Sequence, residues 1–167
     1  MKKHFLALAS LLFLLVSCNQ KSAVEYNDLC INNVSKIILQ YNKYNEHVDS
    51  DSLNFDTLET LRAEGMAIAK NSIEVLNNTP AFENETRLKA TALMVSQTYY
   101  QMFNVIFKKD LELAKNIDNA KPEELMANNE AIDKESQKIS IQTKELEIAQ
   151  KEFCTKHNIR IDSNNEK

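Results

Sequence analysis

Apolar positions along this chain fall into one short continuous run followed by four periodic stretches. The run is residues 5–16, Phe-Leu-Ala-Leu-Ala-Ser-Leu-Leu-Phe-Leu-Leu-Val, behind a basic Met1-Lys2-Lys3. The first periodic stretch covers residues 24–48, with Ile31, Val34, Ile37, Ile38, Tyr41, Tyr44 and Val48 at helical spacing. The second starts near Asn54 or Asp56 and carries Leu58, Leu61, Gly65, Ile68, Ala69, Ile73 and Leu76. It stops at Asn77-Asn78-Thr79-Pro80, because proline disfavours helix in the residue before it. The third begins after Asn84, a good N-cap, and runs through Leu88, Ala92, Val95, Tyr99, Phe103, Ile106 and Leu113 to about residue 117. The fourth opens at Pro122 with Glu123 and Glu124, favourable at a helix start. In it Leu125, Ile132, Ile139, Leu146 and Phe153 recur every seven residues, up to His157 and a capping Asn158.

Four amphipathic stretches joined by short loops predict an all-α, antiparallel up-down-up-down four-helix bundle over residues 24–158, with 159–167 as a tail. Composition supports this. The chain has one glycine and two prolines in 167 residues, too few for hairpin turns. At about 1.5 Å per residue the third and fourth helices outreach the first two. The sparsely apolar segment 108–126 reads as their projecting tip.

The initial run is too short to span a bilayer, which takes roughly 20 apolar residues, and reads as a secretory signal. Its boundary, Leu15-Val16-Ser17-Cys18, resembles the lipobox of bacterial lipoproteins. The resemblance implies removal of residues 1–17, acylation at Cys18 (the palmitate-bearing residue), and a short tether over 18–23. Two or more acyl chains hold a protein stably on a membrane. The start of the first helix and the end of the fourth then sit near the bilayer. Asn19 favours the outer membrane; surface or periplasmic facing is left open. Loss of Lys2 and Lys3 leaves 18 basic against 24 acidic residues, and no basic patch for nucleic acid.

Cys30 and Cys154 both fall near the membrane end of the predicted bundle. Disulfide and free thiols are equally open readings in an exported compartment. A metal site using Cys154, His157 and Cys30 is the weakest option, and no cofactor is expected. Glu-x-x-His pairs, Cys-x-x-Cys-His and phosphate-binding glycine loops are missing from the sequence. Tyr41, Tyr44, Tyr99, Tyr100, Phe103 and Phe107 suit a core better than a ligand pocket. The polar heptad row Asn129, Ser136, Thr143, Gln150 and His157 reads as the flank of the apolar seam. Asp51-Ser52-Leu53 and Asp56-Thr57-Leu58 match the Asp-Ser/Thr-apolar pattern of O-glycosylation in Bacteroidota, which nominates Ser52 and Thr57.

Residues 149–159, Ala149-Gln150-Lys151-Glu152-Phe153-Cys154-Thr155-Lys156-His157-Asn158-Ile159, resemble the ending of a group of bacterial surface lipoproteins of spirochaetes and Bacteroidota. Cys154 stands where that pattern calls for a small residue such as alanine. The resemblance implies a helical envelope protein and supplies no activity or site residues. The expectation is a non-enzymatic envelope lipoprotein that engages a protein partner through its membrane-distal end. The alternative is a carrier of a small apolar ligand in the bundle interior.

Overall fold

The computed structural model describes residues 2–48 and 53–160, with side chains from residue 22 onward. It is an all-α four-helix bundle, with no strand among the described residues. Helix α1 is Lys2–Val48, longer than the predicted 24–48. No proline, glycine or turn cluster separates the initial apolar run from the first periodic stripe, so nothing stops the helix between them. Residues 18–23, expected as a tether, therefore lie within α1, and core packing starts at the fully buried Ala23. Six residues of helix reach only about 9 Å, half the extended length.

Helix α2 is Phe55–Asn78. Its cap is Asn54, whose Oδ1 accepts from the amides of Asp56 (3.1 Å) and Thr57 (3.0 Å). It ends before Pro80, as expected. The third strut starts at Thr86 rather than Asn84: α3 is Arg87–Gln101, and Glu85 Oε1 takes the Arg87 amide at 2.9 Å. Asn84 instead joins Glu83 in a left-handed turn (φ 63° and 47°), closed by the Glu85 amide donating to the Phe82 carbonyl at 2.7 Å. A π turn over Met102–Ile106 leads into α4, Phe107–Lys115. A 3₁₀ turn, Ile117–Asn119, precedes α5, Pro122–Lys156. Asn158 closes α5 in the left-handed conformation (φ 53°), with the Ile159 amide donating back to the Cys154 carbonyl at 2.8 Å. That bond belongs to a Schellman ending.

Cross-helix pairs fix the directions. Ser72 Oγ donates to the Asn33 carbonyl and Gln40 Nε2 to the Leu61 carbonyl, so α1 and α2 run antiparallel. Lys89 reaches the Thr79 carbonyl, and Arg62 the Phe103 carbonyl, which opposes α2 to α3. Arg87 meets Glu152, and Asp110 meets Asn128, which opposes the third strut to α5. One end of the bundle thus holds the α1–α2 and α4–α5 connections. The other holds the α2–α3 connection and the last turn of α5.

The core runs the length of the bundle through Val34, Ile37, Tyr44, Leu58, Leu76, Leu88, Val95 and Phe103. Helix α5 adds Ile139, Leu146 and Phe153 from the heptad seam, whereas Leu125 and Ile132 are only half-buried. It packs chiefly on α3 and touches α1 little. The projecting tip is more deeply seated than the sequence suggests: Leu111 and Leu113 are 3% and 6% exposed, and α4 packs on α2.

Candidate functional site

The α4–α5 end combines an unusual interior with an apolar exterior. Inside, the lone glycine does the local work. A Cβ on Gly65 would lie 2.7 Å from Phe103 Cδ1 and overlap Cε1 and Cζ, so only glycine lets the Phe103 ring lie against the α2 backbone. The π turn carries Phe103, and π turns interrupt the regular amide-to-carbonyl ladder. Arg62 Nη1 bonds the Phe103 carbonyl there at 3.0 Å, and its Nε and Nη2 hold Glu59 at 3.0 and 2.6 Å. That hydrogen bonding lowers the Glu59 pKa and raises that of Arg62. Asp110 accepts from Asn128 Nδ2 at 2.9 Å, but burial still raises its pKa. The Tyr44 ring stacks on Phe107 (centroids 4.2 Å), and its buried hydroxyl has no hydrogen-bond partner among the described residues. Burial, reinforced by Asp110, raises the pKa of that hydroxyl.

The predicted aromatic set meets itself. Tyr41 packs edge-on to Tyr99 at 5.2 Å and stacked on Phe107 at 5.9 Å, while Phe103 packs edge-on to Phe107 at 5.7 Å. Tyr44, Tyr99, Phe103 and Phe107 are buried, and Tyr41 and Tyr100 lie partly buried against them.

Outside, this end gathers exposed apolar side chains. Val48 (37%), Leu53 (57%), Ile117 (55%) and Met126 (59%) all belong to its two connections or the turns beside them. Between the end of α1 and the start of α2 lies an open, mixed-charge cleft of about 420 Å³, lined by Lys43, His47, Asp56, Thr57 and Glu64 among others. Thr57, nominated for glycosylation, is half-exposed in the first turn of α2. Ser52 and the side chain of Cys18 lie outside the described residues.

At the opposite end Cys30 and Cys154 are both buried, and both are free thiols, so the disulfide reading is not realised in the structure. Register is the reason. Tyr26 meets Phe153 and Asn27 meets Cys154, with Cys154 Sγ donating to Asn27 Oδ1 at 3.5 Å. Antiparallel pairing then sets Cys30 opposite residue 150, about one helical turn from Cys154. In this register it is Asn27, not Cys30, that lies against Cys154. Burial pushes the Cys30 thiol up to about 12, and raises Cys154 as well, with the Asp28 carboxylate adding to it. Thiolates are the reactive form. Native protein should therefore leave both cysteines unmodified by iodoacetamide at neutral pH. Denaturant without reductant should expose both to alkylation, read by intact mass. A denatured chain in which neither Cys30 nor Cys154 reacts before reduction would restore the disulfide.

His157 packs between Phe82 (5.1 Å) and Phe153 (4.5 Å), with Nδ1 4.0 Å from Glu83 and a buried Nε2 that has no hydrogen-bond partner among the described residues. The geometry does not unite it with the two cysteines as ligands: among the described residues no three His, Cys, Asp or Glu side chains are grouped to hold a metal ion. Of the polar heptad row, Asn129 is exposed, and Ser136, Thr143, Gln150 and His157 are half-buried, the setting expected of a seam's flank. Thr143 Oγ1 is nevertheless buried without a hydrogen-bond partner among the described residues.

Sequence reading missed Arg62, Asp110 and the π turn. Two signals could have found the first: an arginine beside the apolar stripe, and a single glycine in the middle of an otherwise helix-favouring segment. Among the described residues no helix is long and apolar enough to cross a membrane. Compared with family models, curated proteins and solved structures, the chain matches none.

Proposed function

We propose that this chain is a non-enzymatic lipoprotein of the bacterial envelope, anchored through Cys18, that holds a protein partner at its α4–α5 end. The observation that carries the reading is that Val48, Leu53, Ile117 and Met126, four of the eight large apolar side chains exposed among the described residues, all belong to that end. Large apolar side chains exposed singly are ordinary on a soluble surface, but several gathered at one end mark a contact area. The lipobox-like Leu15-Val16-Ser17-Cys18 places the acyl chains at the start of the bundle's first helix, so the apolar end faces away from the bilayer. The mixed-charge cleft beside it supplies the polar rim that protein interfaces carry around an apolar centre.

Point substitution tests this end without disturbing Leu111 and Leu113, which are part of the buried interior. Ile117→Asp with Met126→Asp should leave the helical content and melting temperature near those of the parent. Capture of cross-linked partners from whole cells should fall by roughly tenfold, the loss expected when central contacts are removed. Leu39→Asp, at a 72% exposed site on the outer side of α1, should not change capture. Equal capture by all three proteins would contradict the assignment of this end.

A further inference from the structure

Helix α5 is apolar on two sides. Its inner seam is Ile139, Leu146 and Phe153. Ile141 and Ile148 follow Ile139 and Leu146 by two residues, which turns them roughly 200° around the helix. They are 60% and 51% exposed, seven residues apart, and form a second stripe facing away from the bundle. Each begins the same pattern, Ile-x-x-Lys-Glu: Ile141 with Lys144 and Glu145, Ile148 with Lys151 and Glu152. Residues three and four places on from an isoleucine flank it on opposite sides. Between residues 141 and 152 the stripe is therefore bordered by the lysine row Lys144 and Lys151 on one side and the glutamate row Glu145 and Glu152 on the other, with Glu147 farther round on the lysine side. Lys144, Glu145 and Lys151 are exposed and form no ion pair within the described chain, while Glu152 holds Arg87.

We infer that the outer face of α5 is a seam for a second copy of this chain, paired in parallel about a two-fold axis along the helix. Charge decides both the occupant and its direction. In a parallel two-fold pair the lysine row of one helix faces the glutamate row of the other, so Lys144 meets Glu145 of the second copy and Lys151 meets its Glu152. In an antiparallel pair each row faces its own kind, lysine against lysine and glutamate against glutamate, which is repulsive. Parallel pairing stacks Ile141 on Ile141 and Ile148 on Ile148, as in a two-stranded coiled coil. It also points both chains the same way, as two proteins held by the same membrane must be. Two isoleucines cover far less than the roughly 800 Å² per partner of a stable interface. Association is thus weak in dilute solution and depends on confinement to a surface, where tethering raises the effective concentration. For that confinement the inference rests on the lipid-anchored reading; the seam itself does not.

The test is single-cysteine cross-linking of the full chain with a short bis-maleimide. It is run in native membranes and again in concentrated detergent extract. Cys30 and Cys154 are buried and stay out of the reaction. Ile148→Cys and Ile141→Cys should each bridge to themselves in membranes, with about tenfold more dimer than Leu39→Cys, given the concentrating effect of tethering. The extract should show the same ranking at lower yield, and Ile141→Glu with Ile148→Cys should abolish the bridge. Homotypic yields no higher than Leu39→Cys in both preparations would overturn the seam. Mixed bridges between Ile141→Cys and Ile148→Cys chains that match the homotypic ones would overturn its parallel direction. Intact mass of the same samples shows whether Cys18 carries lipid, so loss of the anchor is read separately from loss of the seam.

Discussion

Replacing Phe103 by alanine should cost this protein about 3–5 kcal/mol, the range for deleting a buried aromatic ring. The ring is fully buried and meets Tyr41 and Tyr44 at 6.4 Å and Phe107 at 5.7 Å. It also fills the space left by the missing side chain at Gly65. Its neighbours have little freedom to collapse into the void, because Tyr44 is stacked on Phe107 and Arg62 is tied to the carbonyl of residue 103 itself. Domains of this size are stable by only about 5–15 kcal/mol, so the loss is a large share of the total. The melting temperature should fall by roughly 10–15 °C. Thermal unfolding followed by circular dichroism checks this. A fall of under about 3 °C, equivalent to less than 1 kcal/mol, would mean that the π turn and its ring do not organise the core.

Gly65→Val should lose about 3 kcal/mol through overpacking at the same contact. The informative companion is Gly65→Ala. Intrinsic helix propensity alone predicts that alanine in mid-helix is better than glycine by roughly 1 kcal/mol. The structure predicts the opposite sign, since the added carbon overlaps the Phe103 ring and that ring is enclosed by others. Urea unfolding of Gly65→Ala, Phe103→Leu and the double variant separates the two effects. If the contact is real, the double variant is more stable than the sum of the single losses implies, with a coupling of about 1 kcal/mol or more. Strict additivity, or a Gly65→Ala protein more stable than the parent, would show that α2 and the π turn are not in contact.

Much of the bundle was legible because long glycine-poor helices announce themselves by period. The heptads of Ile139, Leu146 and Phe153 gave the inner face of α5, and Pro80 and Pro122 marked the end of α2 and the start of α5. What periodicity does not carry is register and local irregularity. That Cys154 meets Asn27 rather than Cys30 is a matter of register between α1 and α5, which no pattern of apolar positions encodes. The π turn at Met102–Ile106 adds a residue to one turn inside a stretch that still reads as continuous helix. The start of α3 was displaced because Asn84, a good cap by type, was needed in the left-handed turn that brings Phe82 against Tyr26 and Phe153. Leu111 and Leu113 were underrated since their segment is thinly apolar on average, although both are buried. Of the candidate function the sequence carried only an expected anchor at Cys18; the exposed apolar groups at the α4–α5 end emerge only in the structure.

The anchor proposed at Cys18 sets which end of the molecule would be free, and the partner-binding proposal depends on that orientation. Its most direct test is the intact mass and amino-terminal sequence of the native protein extracted from envelopes. The account predicts a chain that begins at Cys18, blocked to sequencing and heavier than the polypeptide by a diacylglyceryl group with or without a further acyl chain. A chain that begins elsewhere with a free amino group, or that retains residues 1–17 with Cys18 unmodified, would contradict it.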